Sequence, residues 1–168
     1  MHVDDAIRGR RSLKEFDPAP VPLETITELL DLAVMAPNHH RTEPWRFVVL
    51  GPESVGRLAD EGEAPKLRRS AQAIVVAQAV AEDAATAEED YAAIAAAIQS
   101  LMLAARARDI ATFWSTPPHV LGGEALRRIA GLAEGERPVG VISIGRAPGD
   151  YFPAAPSRSA AAHTRVLP

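Results

Sequence analysis

At 168 residues with no cysteine, the chain is long enough for one core of ordinary size but has neither a disulfide framework nor a thiolate metal site. A net charge of −4 excludes the broad phosphate-attracting face that general nucleic-acid binding needs. No stretch has the length or flanks of a secretory leader or a membrane span, so the expectation is one soluble cytoplasmic domain over residues 1–168.

The elements alternate between α and β. Residues 4–10 read as a short helix, and around its end stand four cations, Arg8, Arg10, Arg11 and Lys14, with the hydroxyl of Ser12 among them. A guanidinium grips phosphate oxygens bidentately, a serine adds a neutral bond, and a lysine a short step further along reaches a second negative centre. Taken alone, such a run is more often a solvated helix end or a weak nucleic-acid patch. Residues 22–36 form a second helix, with Pro22 in its first turn and Pro37 ending it. Its Ile26, Leu29, Leu30 and Ala33 share one face, whereas Glu24, Glu28 and Asp31 point away.

Residues 46–50 predict a strand, 53–61 a helix, and the surroundings of Pro65 a charged loop. Residues 73–80 are almost devoid of polar side chains, as in a strand covered on both faces. The longest helix is predicted over 88–108, where Tyr91, Ile94, Ile98, Leu101, Met102 and Ala105 follow helical spacing and alanines fill most other positions. A helix apolar nearly all round belongs in the middle of a molecule or between two subunits. A dimer would use it well, with Ile98 and Leu101 expected at the shared surface. Residues 110–114 then predict a strand, 123–132 a helix and 139–145 the last core strand. The tail from Arg146 shows no period and must lie on a surface. Adjacent His39 and His40 are not expected to face one site together. No carboxylate or further histidine stands at a convincing ligand spacing, so no metal site is predicted.

Two segments carry a resemblance: Arg10-Arg11-Ser12-Leu13-Lys14-Glu15-Phe16, and Ala36-Pro37-Asn38-His39-His40-Arg41-Thr42-Glu43-Pro44-Trp45-Arg46-Phe47. In residues and spacing they resemble the N-terminal signatures of the FMN-dependent nitroreductase family. Residues 96–115 and 139–145 resemble its central helix with the following strand, and its last strand. The short interval between Trp45 and Ala73 resembles the compact bacterial subgroup. The resemblance implies an α+β fold, a three-layer α/β/α sandwich around a mixed, mainly antiparallel sheet. It also implies a homodimer with FMN in clefts at the interface.

Carried over residue by residue, it implies that Arg10 and Ser12 hold the phosphate or ribityl end of FMN, with at least backbone contact from Arg11. Lys14 would lie at the pyrimidine edge, where a fixed cation stabilises the charge that hydride transfer leaves near N1. Met35 would border the ribityl chain, although a core methionine is the better account of it. His39 would touch the ring system, Trp114, Ser115 and Thr116 its open side, and Arg158 in the tail the phosphate. Trp114 is also readable as plain core. Asp109 stands where relatives usually have a glycine, at a position that commonly needs a left-handed backbone, which aspartate tolerates better than most residues.

The implied activity is a ping-pong transfer of hydride from NADPH or NADH, through flavin N5, to an electron-poor acceptor such as a nitroaromatic or quinone. The alternatives are a non-enzymatic flavin-binding protein of the same fold, and a phosphate-recognising regulatory domain using only the basic cluster. No metal, nucleic acid or membrane is expected as a partner.

Overall fold

A computed structural model describes residues 1–149 and 159–167. A four-stranded sheet lies at its centre, built from β1 (Trp45–Leu50), β2 (Gln72–Ala79), β3 (Ile110–Ser115) and β4 (Glu136–Arg146), in the order β1-β2-β4-β3. Each neighbouring pair is antiparallel. The mixed character expected of the sheet reduces to a single parallel bridge between Ser12 and Thr112, because the N-terminal arm runs alongside β3 without becoming a full strand.

The helices are α1 (Val3–Gly9), α2 (Leu23–Ala33), α3 (Pro52–Glu61), α4 (Ala84–Ala107), α5 (Pro118–Leu121) and α6 (Glu124–Ala130). Side chains alternate across β2 and β4, so each strand feeds two cores. Ile74, Val76, Ile142 and Ile144 meet Ile26, Leu29, Ile94, Ile98 and Leu101 from α2 and α4. On the opposite face, Val75 and Val141 meet Leu58, Val120 and Leu126 from α3, α5 and α6. The result is the α/β/α sandwich.

Several boundaries follow from local chemistry that periodicity does not register. Helix α2 ends at Ala33, with Val34 as its cap. The chain then makes short-range bonds from Met35 N–H to Leu32 O and from Ala36 N–H to Ala33 O, since Pro37 disfavours a helical residue before it. Helix α4 begins at Ala84, four residues before the expected start, because Asp83 caps it by accepting the N–H groups of Ala85 and Thr86, each at 3.0 Å. The Thr86 side chain and the Thr86 and Ala85 N–H groups hold the Asp83 carboxyl below its ordinary range. The cap is therefore at full strength above that range and is lost as pH falls through the lowered value. Helix α5 is four residues long, too short to show a period. At the far end of α4, Asp109 does adopt the left-handed conformation, with φ of 55°.

Ile98 and Leu101 are 0% exposed within the single chain. This corrects their expected place at a subunit surface: the inward stripe of α4 is used by its own core. The outward side carries Ala92 and Gln99, both exposed, with Ala95 and Leu103 half-buried. Among the described residues no helix is long and apolar enough to cross a membrane.

Gly140 on β4 shows how closely the core is fitted. A Cβ there would lie 2.2 Å from Trp114 Nε1 and 2.7 Å from its Cδ1. Gly140→Ala is expected to destabilise the protein by about 1–3 kcal/mol through overpacking, read as a lower urea midpoint. An unchanged midpoint would mean that the indole has room to move.

Candidate flavin-binding site

Arg10 ends α1, its N–H bonding Ala6 O at 2.9 Å. Beyond it the arm is fastened to the sheet at two points. Leu13 N–H donates to Thr112 O at 3.2 Å, and Asp17 N–H to Arg146 O at 2.8 Å. Phe16 packs against Gly145, where a Cβ would meet its ring at 3.2 Å. Arg11 folds back, Nη1 donating to the Arg10 carbonyl at 2.6 Å. Ser12 and Lys14 remain exposed.

Lys14 stands between two hollows. One is an open groove of about 540 Å³ lined by residues 12–15 and 147–149. The other, about 220 Å³, is lined by Lys14, Phe16, Lys66, Arg69, Phe113 and Ser143. Three cations thus surround two phenylalanines and a hydroxyl, with no carboxylate among the described residues of the lining. Lys14 Nζ lies 5.9 Å from the Phe113 ring centroid.

Lys66 and Arg69 were not singled out from the sequence, where they belong to a charged loop. That loop is a 3-10 turn, Pro65–Arg69, in which residues three apart share a side. Lys66 and Arg69 therefore point together, Leu67 is buried, and Arg68 turns away to Asp60 at 2.5 Å. The pair was detectable only through the turn's period of three.

The second signature forms a strained loop. His40, Arg41 and Glu43 have φ of 60°, 51° and 47°. The left-handed turn at His40 stacks its ring on His39, with centroids 3.8 Å apart and planes at 26°. This corrects the expectation that adjacent histidines cannot face one way, because that argument assumed an extended or helical backbone. Glu89 from α4 also joins them, its Oε2 2.7 Å from His39 Nδ1, a carboxylate that sequence spacing did not reveal. Potential ligand atoms of His39, His40 and Glu89 all lie within 4.8 Å of one another. The two rings lie face to face, and the Glu89 carboxylate meets only the first of them by hydrogen bond.

The other residues named from the sequence are dispersed. Trp114 packs partly buried on the α2–α4 side of the sheet, and its Nε1 is buried without a hydrogen-bond partner among the described residues. Strand alternation gives the place beside Lys14 to Phe113 instead. The Ser115 hydroxyl donates to Val141 O at 3.1 Å. Thr116 lines a separate groove of about 700 Å³ with Glu88, Tyr91 and Arg137. Met35 is 78% exposed. Arg158 lies outside the described residues.

Comparison with known proteins gives the family. The Nitroreductase family profile matches residues 7–61 and 53–146. YfhC of Bacillus subtilis (strain 168), named as an inferred NAD(P)H nitroreductase, is 29% identical over 160 residues, covering 84% of this chain and 82% of that protein. A nitroreductase-like family protein from Bacillus cereus superposes with a TM-score of 0.87 at 24% identity, covering 99% of this chain and 96% of the other. A structure from Desulfovibrio desulfuricans in complex with FMN has a TM-score of 0.81 at 23% identity, with the same coverage. At such identities the two structures establish the fold, and the profile establishes descent. Because the profile runs from within α1 to the last residue of β4, the chain belongs to the nitroreductase family and is an oxidoreductase of that family.

Proposed function

We propose that the protein is an FMN-dependent enzyme that takes hydride from NADPH or NADH and passes the electrons to an electron-poor acceptor such as a nitroaromatic or quinone. The observation that carries this reading is the convergence of Lys14, Lys66 and Arg69 over Phe113 and Ser143 beside the fastened arm. A flat apolar wall edged by cations suits a flavin pyrimidine ring, and the adjoining groove suits its ribityl and phosphate end. Bound FMN would supply the redox chemistry, that of a hydride carrier. The chain's part is to bind and orient it. Arg10 and Ser12 hold the phosphate end, with Arg11 shaping the backbone they stand on. Lys14, Lys66 and Arg69 present positive charge where negative charge develops. Met35, His39, Trp114, Ser115, Thr116 and Arg158 complete the contacts carried over from the family.

The same reading assigns residues 1–168 to one domain and pairs two copies through the outward side of α4, so that each FMN touches both chains. Titrating FMN into the purified protein followed by gel filtration tests it. One FMN should be retained per chain, and a protein that releases all of it would overturn the reading.

Lys14→Ala is expected to bind FMN only slightly less well but to shift the flavin potential to more negative values. The shift should be roughly 20 mV, equivalent to about 1 kcal/mol in a two-electron couple, as befits an exposed cation. Equal potentials in variant and parent would place Lys14 away from the flavin.

A further inference from the structure

Asp90 lies on the second turn of α4 and is only 2% exposed. Among the described residues no cation forms an ion pair with it. Among the described residues, its side-chain hydrogen bonds lead to the strained loop of the second signature. Oδ1 accepts a short bond from the Thr42 hydroxyl and a second, at 3.4 Å, from Asn38 Nδ2. Thr42 has one hydroxyl proton. With that proton given to Asp90, the Thr42 oxygen accepts from Asn38 Nδ2 at 3.0 Å. The other end of the Asn38 amide, Oδ1, accepts the Glu43 N–H at 2.8 Å.

Both ends of the segment 38–43 are thereby tied to each other and to a buried carboxyl group. Between the ties stand the left-handed residues His40 and Arg41, and Glu43 follows directly. Three non-glycine residues in this conformation persist only where surrounding bonds over-determine the backbone, and such strain concentrates at functional sites. An alanine, the residue that fills much of α4, would serve the helix at position 90 better than a buried carboxyl. The helix itself therefore gives no reason for Asp90; the loop does.

We infer that Asp90 is a positioning residue for the flavin site, acting through Thr42 and Asn38 to hold the loop in one conformation, so that His39 and the loop N–H groups meet FMN without first being ordered. This rests on the proposed flavin function.

The test uses the full chain with Thr42→Val, Thr42→Ser and Asp90→Ala, comparing FMN affinity with the thermal midpoint of the FMN-free protein. Thr42→Val should raise the FMN Kd about tenfold while moving the midpoint by no more than about 3 °C. Thr42→Ser, which keeps the hydroxyl, should return the Kd to within about threefold of the parent. The double variant Thr42→Val/Asp90→Ala should bind no worse than the weaker single variant, since both act on one bond. A parental Kd in Thr42→Val, absence of rescue by serine, or fully additive losses would overturn the inference. Should Thr42→Val not fold, Asp90→Ala with a parental Kd would overturn it equally. Failure of the unaltered protein to retain FMN is a separate result, which would overturn the flavin reading itself.

Discussion

Replacing Leu101 with glutamate is expected to unfold the chain and not merely to separate two copies. Leu101 is fully buried between α4 and the sheet, in one cluster with Ile98, Ile142 and Ile144. Removing a buried leucine costs about 2–5 kcal/mol, and an unpaired buried charge adds several more. A domain of this size has only roughly 5–15 kcal/mol in total. Circular dichroism should show loss of cooperative structure at room temperature. The companion variant is Leu103→Glu, at a half-buried position not packed on either core. It should leave the chain folded while weakening assembly and FMN binding together, because ligand and partner stabilise the same state. Light scattering that finds an intact dimer with parental FMN affinity in Leu103→Glu would remove the outward side of α4 from the interface. A well-folded Leu101→Glu monomer would contradict the core itself.

Arg10→Ala is expected to weaken FMN binding by roughly one to two decades. The loss corresponds to one charge-assisted hydrogen bond, about 1.5–3 kcal/mol. Arg10 is well placed for such a bond because its backbone is already fixed as the cap of α1 and the next residues are pinned to β3, so little freedom is lost on binding. Raising ionic strength should weaken the parent more than the variant. An unchanged FMN titration in Arg10→Ala would assign the phosphate to another cation.

What was legible in the sequence divides by the range of the physics involved. The inward faces were legible because helical and strand periods are local, although one core was expected where the sheet separates two. Val75 and Val76 had to face opposite sides, and the face of α2 with Ile26 and Leu29 had to turn inward. Asp109 was legible because a helix end constrains its own backbone. The site was half legible. The Arg10–Lys14 arm announces itself by composition, whereas Lys66 and Arg69 are brought to it only by a 3-10 turn and the fold of the sheet. His39 and His40 were misjudged because a left-handed φ at a histidine leaves no mark in composition, and Glu89 reaches them from fifty residues away. Ile98 and Leu101 were misplaced for a related reason: periodicity shows that a residue is buried but not whether its own chain or a partner buries it.

The most direct measurement is anaerobic. The purified protein, loaded with FMN and freed of excess cofactor, is mixed with NADPH or NADH while its visible spectrum is recorded, and an electron-poor quinone is then added. A hydride-transferring flavoenzyme predicts yellow protein with flavin bands that bleach on addition of at least one nicotinamide and return with the quinone. Flavin bands that persist in excess of both nicotinamides would contradict it, leaving a protein that holds FMN without using it.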